Sequence, residues 1–368
     1  MNRYFFYLVV LFFIAGTAVQ QVVYLGAAYR GSLMSLLLAF AAGTLLLAAT
    51  VRMYARFPRQ GLPEIANGLL PRPLAAPFLL AQTALWFVTG AVPLLYISEI
   101  SKRYINPDYA TNEPLALFLA VIVFLVNMPS VKLLYFLEII LIFNVPLLVL
   151  LCFKSYFSDQ LSSYSMLEAA SRIFEAPNYG AFSAAFMLFT GCTALSVFNR
   201  SIAPDPAKMR YLPLLSFACF LLVMTAYFIP IGMFGADGVA QVNYVWFAVA
   251  DTLRMQYGFI DRVLFVVLPM NILTTLAFAL TAWHVGLEHW KSVWPAPRTV
   301  WGNLSLVYLP LAAMSAFLFV LENQLGFSRI ARYANYWNLW HVPNVLIVLL
   351  LLWLAARPAD RAAGGTGN

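Results

Sequence analysis

Two stretches of this chain set a glycine beside hydroxyl-bearing residues inside an apolar run. The first reads Ile14-Ala15-Gly16-Thr17-Ala18-Val19-Gln20-Gln21 and the second Phe189-Thr190-Gly191-Cys192-Thr193-Ala194-Leu195-Ser196. A membrane helix interrupted at such a glycine frees backbone N–H and C=O groups, which can hold a carboxylate and an ammonium without any charged side chain. Gly16, Thr17, Gln20, Thr190, Gly191, Cys192 and Thr193 are therefore candidate ligand-binding residues. Small residues also let two helices pack closely, and the spacing leaves both readings open.

A third apolar run carries Gln82, Trp86 and Tyr96 and ends at Glu99; an eighth carries Asn271, Thr274 and Thr275. Trp86 would wall a side-chain pocket. Of two adjacent threonines one can face inward whichever way the helix turns, while a back-bond to the preceding turn occupies the other. Glu138 is an acid inside an apolar run. An acid there is costly and marks a candidate functional group; pairing with a base and ion coupling both fit it. His284, His289 and His341 do not make a metal set. Cys152, Cys192 and Cys219 sit in apolar runs and read as small buried hydrophobes. No phosphate loop, nucleophile motif or catalytic carboxylate pair is present, so neither an enzyme nor a cofactor is expected.

These residues need helices at bilayer depth to position them. Of the 368 residues 62% are apolar and 10% charged, against roughly 25% charged in a soluble domain. Apolar runs of membrane-crossing length cover 4–27, 31–55, 74–101, 114–130, 131–153, 179–199, 212–235, 260–287, 300–321 and 341–356, ten expected spans in one all-α integral membrane domain, 1–356. The cluster at 333–340 reads as an interfacial aromatic belt feeding the last span. Gly16 and Gly191 each fall about 12 residues into their span, about 18 Å deep at 1.5 Å per residue. Ten spans divided five and five, 4–153 and 179–356, make these the opening helix of each half. The net charge of +7 comes from scattered Lys and Arg, not a nucleic-acid face. Arg52, Arg56, Arg59 and Arg72 and then Arg200, Lys208 and Arg210 place both termini in the cytoplasm. Short amphipathic interface helices are expected in 154–178 and 236–259, and 357–368 reads as a disordered tail.

The connecting segments carry a resemblance. Arg56-Phe57-Pro58-Arg59-Gln60-Gly61-Leu62-Pro63-Glu64 resembles the motif after the second helix of spore germination permeases, the B subunits of nutrient germinant receptors in the amino acid–polyamine–organocation transporter superfamily. The segment from Trp246 to Leu253, then Gly258-Phe259-Ile260-Asp261-Arg262-Val263, with Val266-Val267 and Thr274-Thr275 following in step, resembles that family's outer segment and entry to helix eight. Gly16 and Gly191 match its two helix-breaking glycines. Thr193 stands where relatives often carry Glu, Thr17-Ala18 replaces a second glycine, and Tyr135 stands where an Arg usually precedes the helix-five Glu.

The resemblance implies a LeuT-type fold of two inverted five-helix repeats with helices one and six discontinuous. It implies a pocket for an amino acid or similar nutrient between helices one, three, six and eight. It also implies a spore inner-membrane complex with an A subunit and a C-subunit lipoprotein. A proton-coupled amino acid permease, with Glu138 in the coupling path, and a structural subunit with a vestigial pocket are the alternatives.

Overall fold

The computed structural model describes residues 3–15, 31–109, 112–202, 211–254, 262–295 and 299–364. Gly16, Thr17 and Gln20 lie outside these, as do Lys208, Arg210 and residues 258–261 of the second quoted motif. Among the described residues the secondary structure is helical, apart from an isolated bridge between Arg254 and Arg262. The helices are α1 Arg3–Ile14, α2 Ser32–Ala55, α3 Leu62–Leu69, α4 Arg72–Tyr104, α5 Glu113–Leu125, α6 Ser130–Tyr156, α7 Ser163–Ser171, α8 Tyr179–Met187, α9 Leu195–Ile202, α10 Leu212–Val239, α11 Val245–Thr252, α12 Leu264–Val293, α13 Val300–Gln324 and α14 Phe327–Gly364.

Among the described residues eight helical segments are long and apolar enough to cross a membrane, and the chain is a multi-pass membrane protein. The shorter apolar α1 and α5 fall where the first and fourth spans are expected. Helices α7 and α11 occupy the two segments expected to hold short interface helices. The last helix differs from expectation: its apolar crossing segment runs Arg329–Arg357 rather than 341–356. The helix itself continues to Gly364, into the expected tail.

Contacts come in matched sets. Segment 188–194 packs on α1, α2 packs on α10, and α4 lies along α12. The α1–α6 contact is repeated by α8 with α14, α4–α14 by α12 with α6, and α4–α13 by α12 with α5. Each second set is the first advanced by five spans, the pattern an inverted repeat produces.

The sixth span is interrupted within its apolar run. Helix α8 starts where the Asn178 side chain accepts from the Gly180 N–H at 2.7 Å, a cap that satisfies an otherwise orphaned donor. It then tightens into a 3-10 segment, Leu188–Ala194, before α9. Seven residues is long for 3-10 winding, and such a stretch inside a helix marks a hinge or a strained sequence. The sequence shows why it winds so. The Thr190 hydroxyl donates to the Met187 carbonyl at 2.6 Å, and Thr193 to Thr190 at 2.6 Å. The Cys192 thiol reaches the Phe189 carbonyl at 3.6 Å. Three side chains thus bond three residues back, which favours the tighter turn. Gly191 faces α1 so closely that a Cβ would sit 2.7 Å from the Leu8 carbonyl oxygen and 3.0 Å from Val9 Cα.

The 56–64 motif folds against α9. The Asn199 amide donates to the carbonyls of Phe57 at 2.8 Å and Gln60 at 2.7 Å. Glu64 caps α3 by accepting from Gly61 N–H at 2.8 Å and pairs with Arg200 at 2.8 Å. A Cβ on Gly61 would lie 2.5 Å from the Ser196 carbonyl oxygen.

Candidate functional site

Three cavities follow one another along α4. The largest, about 80 Å³ open to water-sized molecules, is bounded by Phe13, Ile14 and Ala15 at the end of α1 and by Pro93, Tyr96, Ile97 and Ile100 of α4. Leu151 and Cys152 of α6, Val223 of α10, and Met270, Asn271 and Thr275 of α12 contribute to its walls. Trp246 and Phe247 of α11 also line it, and the Trp246 indole is held by donating to the Ala226 carbonyl at 3.2 Å. A middle chamber shares Ala15 and Pro93 with it and adds Phe12, Thr89, Met187, Phe278, Trp337 and Asn338. A third shares Thr89 with the middle one and is lined by Gln82, Trp86, Thr193, Ser196, His341 and Asn344. From Ile100 to Gln82 the row covers eighteen residue steps of α4, about 27 Å at roughly 1.5 Å per residue. That nearly matches the roughly 30 Å hydrocarbon layer.

Pro93 stands where the large and middle cavities meet. A proline has no N–H, so it cannot serve the carbonyl four residues earlier, here that of Thr89. The irregularity in the α4 ladder therefore falls where the cavities join.

The expected site residues separate on this map. Asn271 and Thr275 line the large cavity, and the Thr275 hydroxyl points to Asn271 Oδ1 at 3.4 Å. Thr274 faces the other way. Its hydroxyl donates to the Met270 carbonyl at 2.9 Å and accepts from Asn144 Nδ2 at 2.8 Å. Trp86 and Thr193 line the third chamber, away from Thr275. Thr190, Gly191 and Cys192 are buried in the segment that packs on α1 and α2 and border none of the three cavities. Gly16 and Thr17 follow directly on Ala15, which lines two of them, and Gln20 comes five residues after it.

Glu138 stands apart from the cavities. Its carboxylate pairs with Arg3 at 3.3 Å and accepts from the Tyr7 hydroxyl at 3.4 Å, with Tyr4 edge-on to Tyr135 at 5.6 Å. Arg3 of α1 thus supplies the cation that Tyr135 lacks.

Ion pairs gather toward the helix ends. At the Arg72 end of α4, Arg200 bridges Glu64 at 2.8 Å and Glu288 at 3.0 Å, and Lys291 joins Glu288 at 3.0 Å. His284 Nδ1 lies 2.9 Å from the Val126 carbonyl, which can only accept, so Nδ1 carries a proton. In the neutral ring Nε2 then accepts from the Ser130 hydroxyl at 2.9 Å. This fastens the α5–α6 junction to α12. At the Tyr104 end, Lys102 holds the buried Glu322 at 2.9 Å, and the Ser98 hydroxyl donates to the same carboxylate.

No family model and no curated protein matches the chain. Solved structures do. A manganese transporter from Eremococcus coleocola, solved as several variants, is 13% identical with a TM-score of 0.55, covering 95% of this chain and 78% of that one. Another of its variants superposes with a TM-score of 0.56 at the same identity and coverage. MhsT in complex with L-phenylalanine is 16% identical over 94% of this chain and 98% of that one, with a TM-score of 0.44. The fold is LeuT-type.

In the LeuT-type fold the sixth span is one of the two broken helices, and here its break is the Leu188–Ala194 segment. Several site features are hard to see in the sequence. Glu322 falls one residue beyond the expected ninth span, and its signal is the Ser98/Lys102 pair one helical turn apart on α4. Asn144 is a lone amide in an apolar run. His341 and Asn344 are visible only as members of one face of α14, with Trp337 and Val348 at helical spacing.

Proposed function

We propose that this chain binds a small solute with an apolar body and one polar end in the large cavity, with Asn271 and Thr275 at the polar end. The observation that carries this is the lining: an amide and a hydroxyl side by side on α12, mostly aromatic and aliphatic groups elsewhere with the Tyr96 phenol among them, and no charged residue. Small-molecule sites are built in this way, mostly apolar with a few placed polar groups. The volume of about 80 Å³ corresponds to roughly five to eight waters at 10–15 Å³ each, the bulk of a small aliphatic amino acid. Gly16, Thr17 and Gln20, following the cavity-lining Ala15, are the candidates to hold its ammonium and carboxylate. Thr190, Gly191, Cys192 and Thr193 are kept as candidates only for a state in which the sixth span opens.

A divalent metal fits less well. Residues 1–30 and 179–202 contain no Asp or Glu, and hard cations take carboxylate and other oxygen ligands. Manganese, the cargo of the structural neighbour, is therefore not carried over to this chain.

The motif resemblance supports a specific role: the membrane subunit of a nutrient germinant receptor, assembled with an A subunit and a C-subunit lipoprotein in the spore inner membrane, both termini cytoplasmic. In that role the chain senses the nutrient and passes the signal on. A second reading, an amino acid permease, is favoured by the row of chambers that continues beyond the large cavity. Thermal-shift screening of the purified protein against L-alanine, L-valine and L-leucine, with Thr275→Val alongside, tests the site. A shift in the wild type that the variant loses supports it; no shift with any of these rejects it. Proteoliposomes separate the roles, since binding without flux is receptor behaviour and accumulation is permease behaviour.

A further inference from the structure

The third chamber has a chemistry of its own. His341 is 5% exposed and Ser196 2% exposed. Both line the chamber, and among the described residues neither the two His341 ring nitrogens nor Ser196 Oγ has a hydrogen-bond partner. Such groups cost free energy when buried unless something bonds them. Across the chamber Gln82 Nε2 donates to Asn344 Oδ1 at 2.7 Å, and Asn344 Nδ2 returns a longer bond of 3.4 Å. That exchange leaves each amide a second N–H to give. Thr193 has given its proton to the Thr190 carbonyl, so its oxygen can only accept.

The lining selects the occupant. It contains no Asp, Glu, Lys or Arg, so an ion would carry its charge into the bilayer unbalanced, at high cost. A neutral imidazole offers one donor and one acceptor, and a hydroxyl can do the same. A group that donates and accepts once each therefore bonds one His341 ring nitrogen and Ser196 Oγ together. The chamber measures about 20 Å³, room for one or two oxygen atoms at roughly 10–15 Å³ per water.

We propose that the chamber between α4, α9 and α14 is a binding site for a neutral hydroxyl group, brought by water or by a small polyol, held by His341 and Ser196. The bound hydroxyl ties α9 to α14 through bonds that exchange rather than break. The site is independent of any solute in the large cavity.

Hydroxyl-radical labelling of the purified full chain, read by mass spectrometry, tests the water source. Bound water makes Trp86 and His341 label despite burial, whereas Trp283, fully buried away from these cavities, serves as the dry reference. His341→Phe is expected to lower Trp86 labelling several-fold. Ser196→Ala, a smaller change, gives the second measure should the phenylalanine variant misfold. Equilibrium binding of radiolabelled glycerol tests the polyol source, with loss of binding expected in His341→Phe. Labelling without glycerol binding assigns the site to water, and variant-sensitive glycerol binding assigns it to a polyol. Labelling no faster than Trp283, together with no variant-sensitive glycerol binding, overturns the proposal.

Discussion

The Asn199 side chain donates to the Gln60 backbone carbonyl at 2.7 Å. This bond, with its companion to Phe57 at 2.8 Å, explains why the 56–64 segment is shaped as it is. The turn presents two carbonyls to one amide, and Gly61 lets the chain touch the Ser196 backbone. The broken sixth span is thereby fixed to the connection after α2. Asn199→Ala leaves both carbonyls without their donor, a cost of about 1–3 kcal/mol each if they stay buried. Thermal unfolding in detergent should fall clearly for this variant. Glu64→Gln should lower it less, because Glu64 is half exposed and exposed pairs contribute about 0–1 kcal/mol.

Gly191 offers a sharper test of packing. An alanine methyl there meets the α1 backbone, at 2.7 Å from the Leu8 oxygen, and backbone cannot rotate away. Overpacking of this kind costs typically about 1–3 kcal/mol. Gly191→Ala should therefore lower the melting temperature, whereas Gly68→Ala, on the exposed face of helix α3 with no atom within 4 Å of the new methyl, should leave it unchanged or raise it slightly. Equal effects at the two positions would remove the close α1 contact as the reason for the glycine.

The membrane class and the broken sixth span were legible because hydropathy and a mid-span glycine are local signals. What was not legible is which face each polar residue turns to. Thr190 and Thr193 have the composition of a ligand site, yet their hydroxyls bond the carbonyls three residues back. The aromatic cluster at 333–340 reads as a lipid-interface belt because its members are adjacent in sequence. On a helix they separate: Tyr333, Tyr336 and Trp340 are exposed, while Trp337 and Asn338 line the middle chamber. Those inward polar residues interrupt the apolar run, which is why the last span looks shorter than it is. The partner of Glu138 was equally hidden, since Arg3 lies 135 residues away in sequence.

Thr274 and Thr275 should dissociate under substitution. Valine at Thr274 removes the acceptor of the buried Asn144 amide, leaving Asn144 Nδ2 only the longer bond to the Met270 carbonyl at 3.3 Å. Stability should drop by about 1–3 kcal/mol with little direct change in ligand affinity. Valine at Thr275 removes a hydroxyl that faces the large cavity and makes only a 3.4 Å contact with Asn271. There stability should hold while solute binding weakens. Melting curves measured with and without the solute identified by screening separate the two; a stability loss confined to Thr275→Val would contradict the assignment of faces.

Glu322 should matter more to stability than Glu138, although only Glu138 lies well inside an expected span. The Glu322 side chain is 5% exposed and its Lys102 partner 17%, whereas Arg3 beside Glu138 is 61% exposed. Removing one member of a buried pair strands the other charge in a poor solvent, at about 3–5 kcal/mol. Helix α13 has few buried residues of its own, so this pair is a large part of its attachment to α4. Glu322→Ala should lower the melting temperature strongly, and Lys102→Met in the same chain should recover much of the loss by removing the stranded cation. Glu138→Gln should change it little, because water can solvate Arg3 once the pair is gone. A double variant no more stable than Glu322→Ala would mean that the Ser98 contact and local packing, rather than the charge pair, hold α13 in place.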